Sequence, residues 1–110
     1  MNNWSPGKDL AANKNYSEKR IALLVARATR AFLEYSPIRH TAEETERIYR
    51  HIPYGPLLDV FVVDMRSYRG PNSANRQTTP GDETDYMGPR QVEWLKKALA
   101  DSRAMWKIIA

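Results

Sequence analysis

The chain has 110 residues, carries a net charge of +4 and contains no cysteine. That length suits one small domain with a thin core, and the charge, spread among interspersed acids, argues only weakly for nucleic acid. Disulfides and thiolate metal sites are excluded, which leaves the compartment open; no apolar run reaches the roughly 18 residues of a membrane helix, and MNNWSPGKDL has no apolar leader core.

Residues 1–16 are polar and broken by Pro6 and Gly7, so they read as loop. A helix is predicted from Ser17, a plausible N-cap with Glu18 behind it, to Tyr35, with Pro37 ending it. Ile21, Leu24, Val25, Ala28, Phe32 and Tyr35 make its apolar stripe, and Lys19, Arg20, Arg27, Arg30 and Glu34 gather opposite. Leu23 and Leu33 fall off the stripe, which predicts cover on more than one side. TAEETER then offers a short turn of helix.

RIYRHIPYG alternates, with Ile48, Arg50 and Ile52 pointing one way and Tyr49 and His51 the other, as in a strand with one wet face. PYGP marks a turn, and LLDVFVVD follows. The two strands form a predicted hairpin. Val60, Val62 and Val63 make the second strand β-branched, and its near-continuous apolar character predicts burial on both sides, with Asp59 an exception that has no evident partner.

Residues 65–88 are polar and carry Gly70-Pro71 and Pro80-Gly81, a long loop of the kind that usually has a function or is disordered. Gly88-Pro89 opens a second helix with Pro at the tolerated first position. Val92, Leu95 and Leu99 form its stripe, Trp94 flanks it, and Glu93 and Lys97 are spaced as an ion pair. Residues 101–103 are expected to turn and MWKIIA to form a strand. Residues 57–110 therefore spell a βαβ unit, whose strands are parallel neighbours.

In open α/β sheets, ligands sit beyond the carboxyl ends of the strands. Asp64, Arg66, Tyr68 and Arg69 lie at such an end, and Ala110 marks the same edge of the next strand. A carboxylate there suits a metal or an arginine, and a guanidinium suits phosphate oxygens. The competing reading is a local Asp64–Arg66 ion pair that finishes the sheet. His40 and His51 lack ligand spacing and read as surface or strand residues, and Trp94 and Trp106 read as core. The basic helix face is interrupted by Glu18 and Glu34 and has no interleaved aromatics. No phosphate-binding glycine loop, HExxH or GxSxG pattern occurs.

Four segments, NNWSPGKDL, RATRAFLEYSPIR, RIYRHIPYGPLLDVFVVDMRSYRGPNSANRQ and MGPRQVEWLKKALADSRAMWKIIA, resemble consecutive parts of the alkaline phosphatase D (PhoD-like) metallophosphatases. The pattern at Asp64, Arg66, Tyr68 and Arg69 and the ending WKIIA carry most of the specificity. The resemblance implies an α/β fold, a partial calcineurin-like metallophosphoesterase sandwich in which residues 1–110 form the middle segment of a single domain. It implies hydrolysis of phosphomonoesters and phosphodiesters with iron and calcium, and a phosphate-ester small molecule as substrate; no membrane and no specific nucleic-acid partner are expected.

The family's acid-rich segment before the Asn2-Asn3 position and its later histidine segments have no counterpart here. Met1 is expected to be an internal residue of a longer protein, the main metal ligands to lie outside this chain, and the chain alone to be inactive. Longer relatives are typically exported, a signal not seen here. Asn2 and Asn3 match the asparagine pair near the site, and Asp64 and Arg66 match the strand-end motif; Tyr68 and Arg69 are expected to be structural. The alternative from a different class is a non-catalytic basic module that binds an anionic partner such as nucleic acid.

Overall fold

The computed structural model describes residues 1–39 and 47–110. Elements run in the order α1 (Ile21–Tyr35), β1 (Arg50–Tyr54), β2 (Leu58–Val62), a 3-10 turn (Asp82–Thr84), α2 (Pro89–Asp101) and β3 (Trp106–Ile109). The short TAEETER helix and His40 lie outside the described residues, apart from Arg47.

The hairpin and the βαβ unit both form. β1 and β2 are antiparallel, with Arg50 opposite Val62 and Tyr54 opposite Leu58, and Gly55 takes a positive φ of 71° in the turn between them. β2 and β3 are parallel, with Leu58 opposite Trp106 and Phe61 opposite Ile109. The sheet order is therefore β1-β2-β3. The fold is mixed α/β.

α2 covers one face of this sheet. His51, Asp59 and Phe61 point toward it, since paired residues in register share a face. Phe61 is fully buried and stacks on His51 with ring centres 4.8 Å apart. Asp59 finds its partners here: Ser102, at the end of α2, donates to Oδ2 at 2.5 Å, and His51 Nε2 lies 3.0 Å from Oδ1. Those two bonds, Ser102 first, hold the Asp59 carboxyl below the usual carboxylate range. Trp94 of α2 meets Tyr49 at 4.8 Å.

The other face carries Ile52, Tyr54, Leu58, Val60, Val62, Trp106 and Ile108 by the same register. Among the described residues it is largely uncovered. Tyr54 is 74% exposed and Trp106 67%, so the expectation that Trp106 is core is corrected. β2 is likewise not buried on both sides, because Asp59 and Phe61 are buried while Leu58, Val60 and Val62 are only half-buried. The molecule measures 50 × 39 × 20 Å, and its thinnest dimension holds a sheet and one helical layer, with layers about 10 Å apart.

The first helix begins at Ile21, four residues after the expected cap. Glu18 turns instead to Arg20, accepting from its backbone N–H at 2.9 Å and its guanidinium at 2.8 Å, and this arginine holds the Glu18 carboxyl down to about 2. That bond takes the Arg20 N–H that a Ser17 cap would have claimed, which accounts for the later start. The buried side is also rotated from the expected stripe. Leu33 is buried at 7% exposure, while Phe32 and Tyr35 stand out at 47% and 88%. On α2, Lys97 pairs with Asp101 at 2.8 Å, rather than in the expected bond to Glu93, and the helix runs through Asp101. No helix among the described residues is long and apolar enough to cross a membrane.

Candidate functional site at the carboxyl end of the second strand

The apolar run of β2 ends where the chain must leave the sheet. Val63 donates to the Ala110 carbonyl at 2.8 Å, so the ends of β2 and β3 are joined at this edge, as expected. Asp64 comes next and is buried. Its backbone is clamped by Gln91 of α2: the Asp64 N–H donates to Gln91 Oε1 at 2.7 Å, and Gln91 Nε2 donates to the Asp64 carbonyl at 2.8 Å. The same amide donates to the Met87 carbonyl at 2.7 Å. Gln91 thus satisfies backbone groups that the sheet no longer pairs. Sequence reasoning passed over Gln91, a polar residue in the first turn of an amphipathic helix. Its position beside Gly88-Pro89 was the available signal.

The Asp64 carboxylate folds back on its own loop. Oδ1 accepts the backbone N–H groups of Arg66 at 2.8 Å and Ser67 at 2.9 Å. The expected Asp64–Arg66 side-chain ion pair does not form, because those two amides occupy the oxygen and turn the chain so that the guanidinium leaves the other way. Oδ2 is buried and has no hydrogen-bond partner among the described residues.

Arg66 reaches across the chain to its first residues. Nη1 donates to Asn3 Oδ1 at 2.9 Å and to the Trp4 carbonyl at 3.3 Å. Asn72, from the long loop, donates to the Asn3 carbonyl at 2.8 Å, and Lys8 Nζ donates to the Asn2 carbonyl at 2.6 Å. Asn3 sits at a φ of 46°, a left-handed conformation that asparagine tolerates better than most residues. Asp64, Arg66 and Asn3 are thereby brought to one rim. Asn2 contributes its main chain to Lys8, and no side-chain bond of Asn2 is made among the described residues.

Tyr68 and Arg69 pack rather than point at this rim. Tyr68 meets Tyr49 edge-on at 5.5 Å, and Arg69 lies over the Tyr86 ring at 5.1 Å. A further requirement falls on Gly88, whose φ is 76° and where a Cβ would lie 2.9 Å from Tyr68 Cβ. Glycine alone meets both conditions without strain. His51 belongs to the α2-covered face, away from the rim.

The rim combines two fixed cations, Arg66 and Lys8, with amide groups and one buried carboxylate. Only Nη1 of the guanidinium is engaged among the described residues, which leaves donors of its planar fork for an oxyanion. A metal cluster makes a different demand, and no group of three or more His, Cys, Asp or Glu converges among the described residues. One carboxylate and neighbouring amides do not fit a metal cluster by themselves.

A small α/β layer with a polar rim at the carboxyl end of its central strand is the class of arrangement that open-sheet enzymes use for ligands. The model of the PhoD-like phosphatases matches residues 1–110, and the chain belongs to that family. It is 31% identical over 106 residues to alkaline phosphatase D of Bacillus subtilis (strain 168), an alignment covering 88% of this chain and 18% of the relative. A solved structure described as PhoD superimposes with a TM-score of 0.65 at 27% identity, covering 99% of this chain and 22% of that one. The chain therefore spans about a fifth of the length of the proteins it matches. Family membership points to a phosphatase-type, hydrolytic function.

Proposed function

We propose that residues 1–110 form one wall of a phosphate-ester-hydrolysing site, with Arg66 as the group that holds a phosphoryl oxygen and Asn3 as the group that orients Arg66. The observation that carries this reading is the Arg66–Asn3 bond of 2.9 Å, which ties the strand-end motif to the asparagine pair at one rim. Asp64 acts through the backbone, shaping the turn that projects Arg66.

The reaction assigned is hydrolysis of phosphomonoesters or phosphodiesters in a PhoD-like domain. Iron and calcium, when bound in such a domain, would activate water and neutralise phosphoryl charge. Because the described residues do not fit that cluster, residues outside this chain would hold the metals. The contribution of this chain is binding and orientation: a preorganised guanidinium beside the phosphate stabilises charge as it develops. A calcineurin-like sandwich is the larger fold into which this layer fits.

The basic-module reading finds three of its cations already engaged in surface ion pairs. Arg20 is paired with Glu18, Arg30 with Glu34 and Lys97 with Asp101.

Two measurements test the proposal. The isolated chain, with added iron and calcium, is expected to leave p-nitrophenyl phosphate intact. A chimera in which residues 1–110 replace the matched segment of the Bacillus subtilis relative is expected to hydrolyse it, and Arg66→Ala to lower kcat/KM there by about 100-fold. Turnover by the isolated chain, or an Arg66→Ala chimera as active as its parent, would refute it.

A further inference from the structure

Asn3 is held from two directions. On its side-chain side, Arg66 Nη1 donates to Oδ1 at 2.9 Å, and because a guanidinium accepts nothing, the amide oxygen is the end that must face it. On its main-chain side, Asn72 Nδ2 donates to the Asn3 carbonyl at 2.8 Å, while Lys8 Nζ lies farther from the same oxygen, at 3.5 Å. The backbone between these two grips has a φ of 46°. Residues with a Cβ disfavour that left-handed conformation, and it persists where surrounding contacts over-determine it. Released from the carbonyl bond, Asn3 has ordinary extended backbone open to it, and Oδ1 then swings away from Arg66.

Asn72 is placed to supply that contact. Two residues earlier, the Gly70 N–H donates to the Asp85 carbonyl at 2.8 Å, which fixes where the long loop departs. Pro71 then lies against the N-terminal segment, since a Cβ at Gly7 would be 3.8 Å from Pro71 Cβ. The neck of the loop is therefore seated on the same segment that carries Asn3. We propose that Asn72 is a positioning residue for the rim: its bond to the Asn3 carbonyl holds the turn that presents Oδ1 to Arg66, and so sets the direction of the guanidinium. This role rests on the reading of Arg66 as the phosphoryl-holding group and extends it, because Asn72 acts through Asn3 and Arg66 rather than on the phosphate.

The test is a double-mutant cycle in the chimera with the Bacillus subtilis relative, read as kcat/KM for p-nitrophenyl phosphate beside the melting temperature. Asn72→Ala is expected to lower kcat/KM about tenfold with the melting temperature unchanged. Asn72→Asp keeps the size but turns only acceptors toward the carbonyl, and is expected to cost at least as much. In the Arg66→Ala background either change is expected to cost less than about twofold more, because the group it positions is gone. Gln77→Ala, in the same loop but bonded to Ser73 and Glu83, controls for general disturbance of the loop and is expected to be silent. An Asn72→Ala chimera as active as its parent, a loss that persists in full without Arg66, or an equal loss from Gln77→Ala would overturn the inference.

The isolated chain gives a reading without catalysis. The 15N resonances of the Asn3 and Trp4 backbone amides and of Arg66 Nε are expected to move with Asn72→Ala, while those of α2 stay. If the Asn3 and Arg66 signals do not move, the inference falls even where Arg66→Ala abolishes activity. Shifted signals beside a chimera insensitive to Arg66→Ala would uphold the positioning bond and sink the catalytic reading alone.

Discussion

Helices α1 and α2 resemble each other in sequence, each with an apolar stripe beside charged residues, and differ in how they are held. α2 is tied at both ends by polar side chains: Gln91 grips the backbone of Asp64, and Ser102 grips the Asp59 carboxylate. Trp94 adds a ring contact in the middle. α1 has no side-chain bond at its N-cap, and Leu33 is its one buried residue. Its Leu33 side borders a cleft of about 840 Å³ shared with Trp4, Pro6 and Tyr68. Amphipathic spacing forms a helix with a face to bury. It does not supply the bonds that fix the helix to a particular place.

The largest expected effect breaks the α2 tether. Gln91→Ala leaves the buried N–H and C=O of Asp64 without partners and is expected to cost roughly 2–5 kcal/mol, read from urea denaturation. A loss below 1 kcal/mol would mean that water replaces the amide and that the clamp does not anchor α2. Next comes Leu33→Ala, the deepest point of α1. Because the cleft beside it lets neighbours relax, the loss should fall near the low end for such changes, about 2 kcal/mol.

The Ser102 tether can be weakened by acid instead. The Asp59 pKa is depressed in the folded state, so its stabilisation is present above the unfolded carboxylate pKa of about 3.9 and is lost as pH falls through the folded value. Asp59→Asn should therefore flatten the acid limb of the stability–pH curve, below about pH 4. An unaltered acid limb in the variant would remove Asp59 from the account. The smallest effect is Phe32→Ser on α1, expected to lie within about 0.5 kcal/mol because the ring is already half in water. Amide exchange sharpens the same contrast, with α2 expected to be better protected than α1.

Much of this architecture was legible in the residues. Period-two alternation and the PYGP turn located the hairpin, and Gly88-Pro89 located the start of α2 with the βαβ unit behind it. What escaped was set by long-range contacts. Leu33 could not be ranked above Phe32 from spacing alone, because the answer depends on which side Trp4 and Tyr68 occupy. Trp106 reads as core rather than ligand platform, yet what covers a strand is decided by layers elsewhere. At the rim, residue types singled out Asp64 and Arg66, and the family resemblance added Asn3. The separation of Asp64 from the Arg66 guanidinium was invisible until two backbone amides were seen to claim its oxygen. Gln91 carried no motif, and only the end of the neighbouring strand gives it a task.

The loop after β2 has a closed neck. Gly70 donates to the Asp85 carbonyl at 2.8 Å, and a Cβ at Gly70 would lie 1.7 Å from the Asp82 carbonyl oxygen, so the outgoing and returning strands of this excursion touch where it begins. The excursion is also bonded through Asn72 to the Asn3 carbonyl, and Thr78 and Thr79 at its far side are exposed. Such a pendant can be lengthened, trimmed or fitted with a reporter peptide at its tip while the pinch still delivers the chain to Gly88 in the same place.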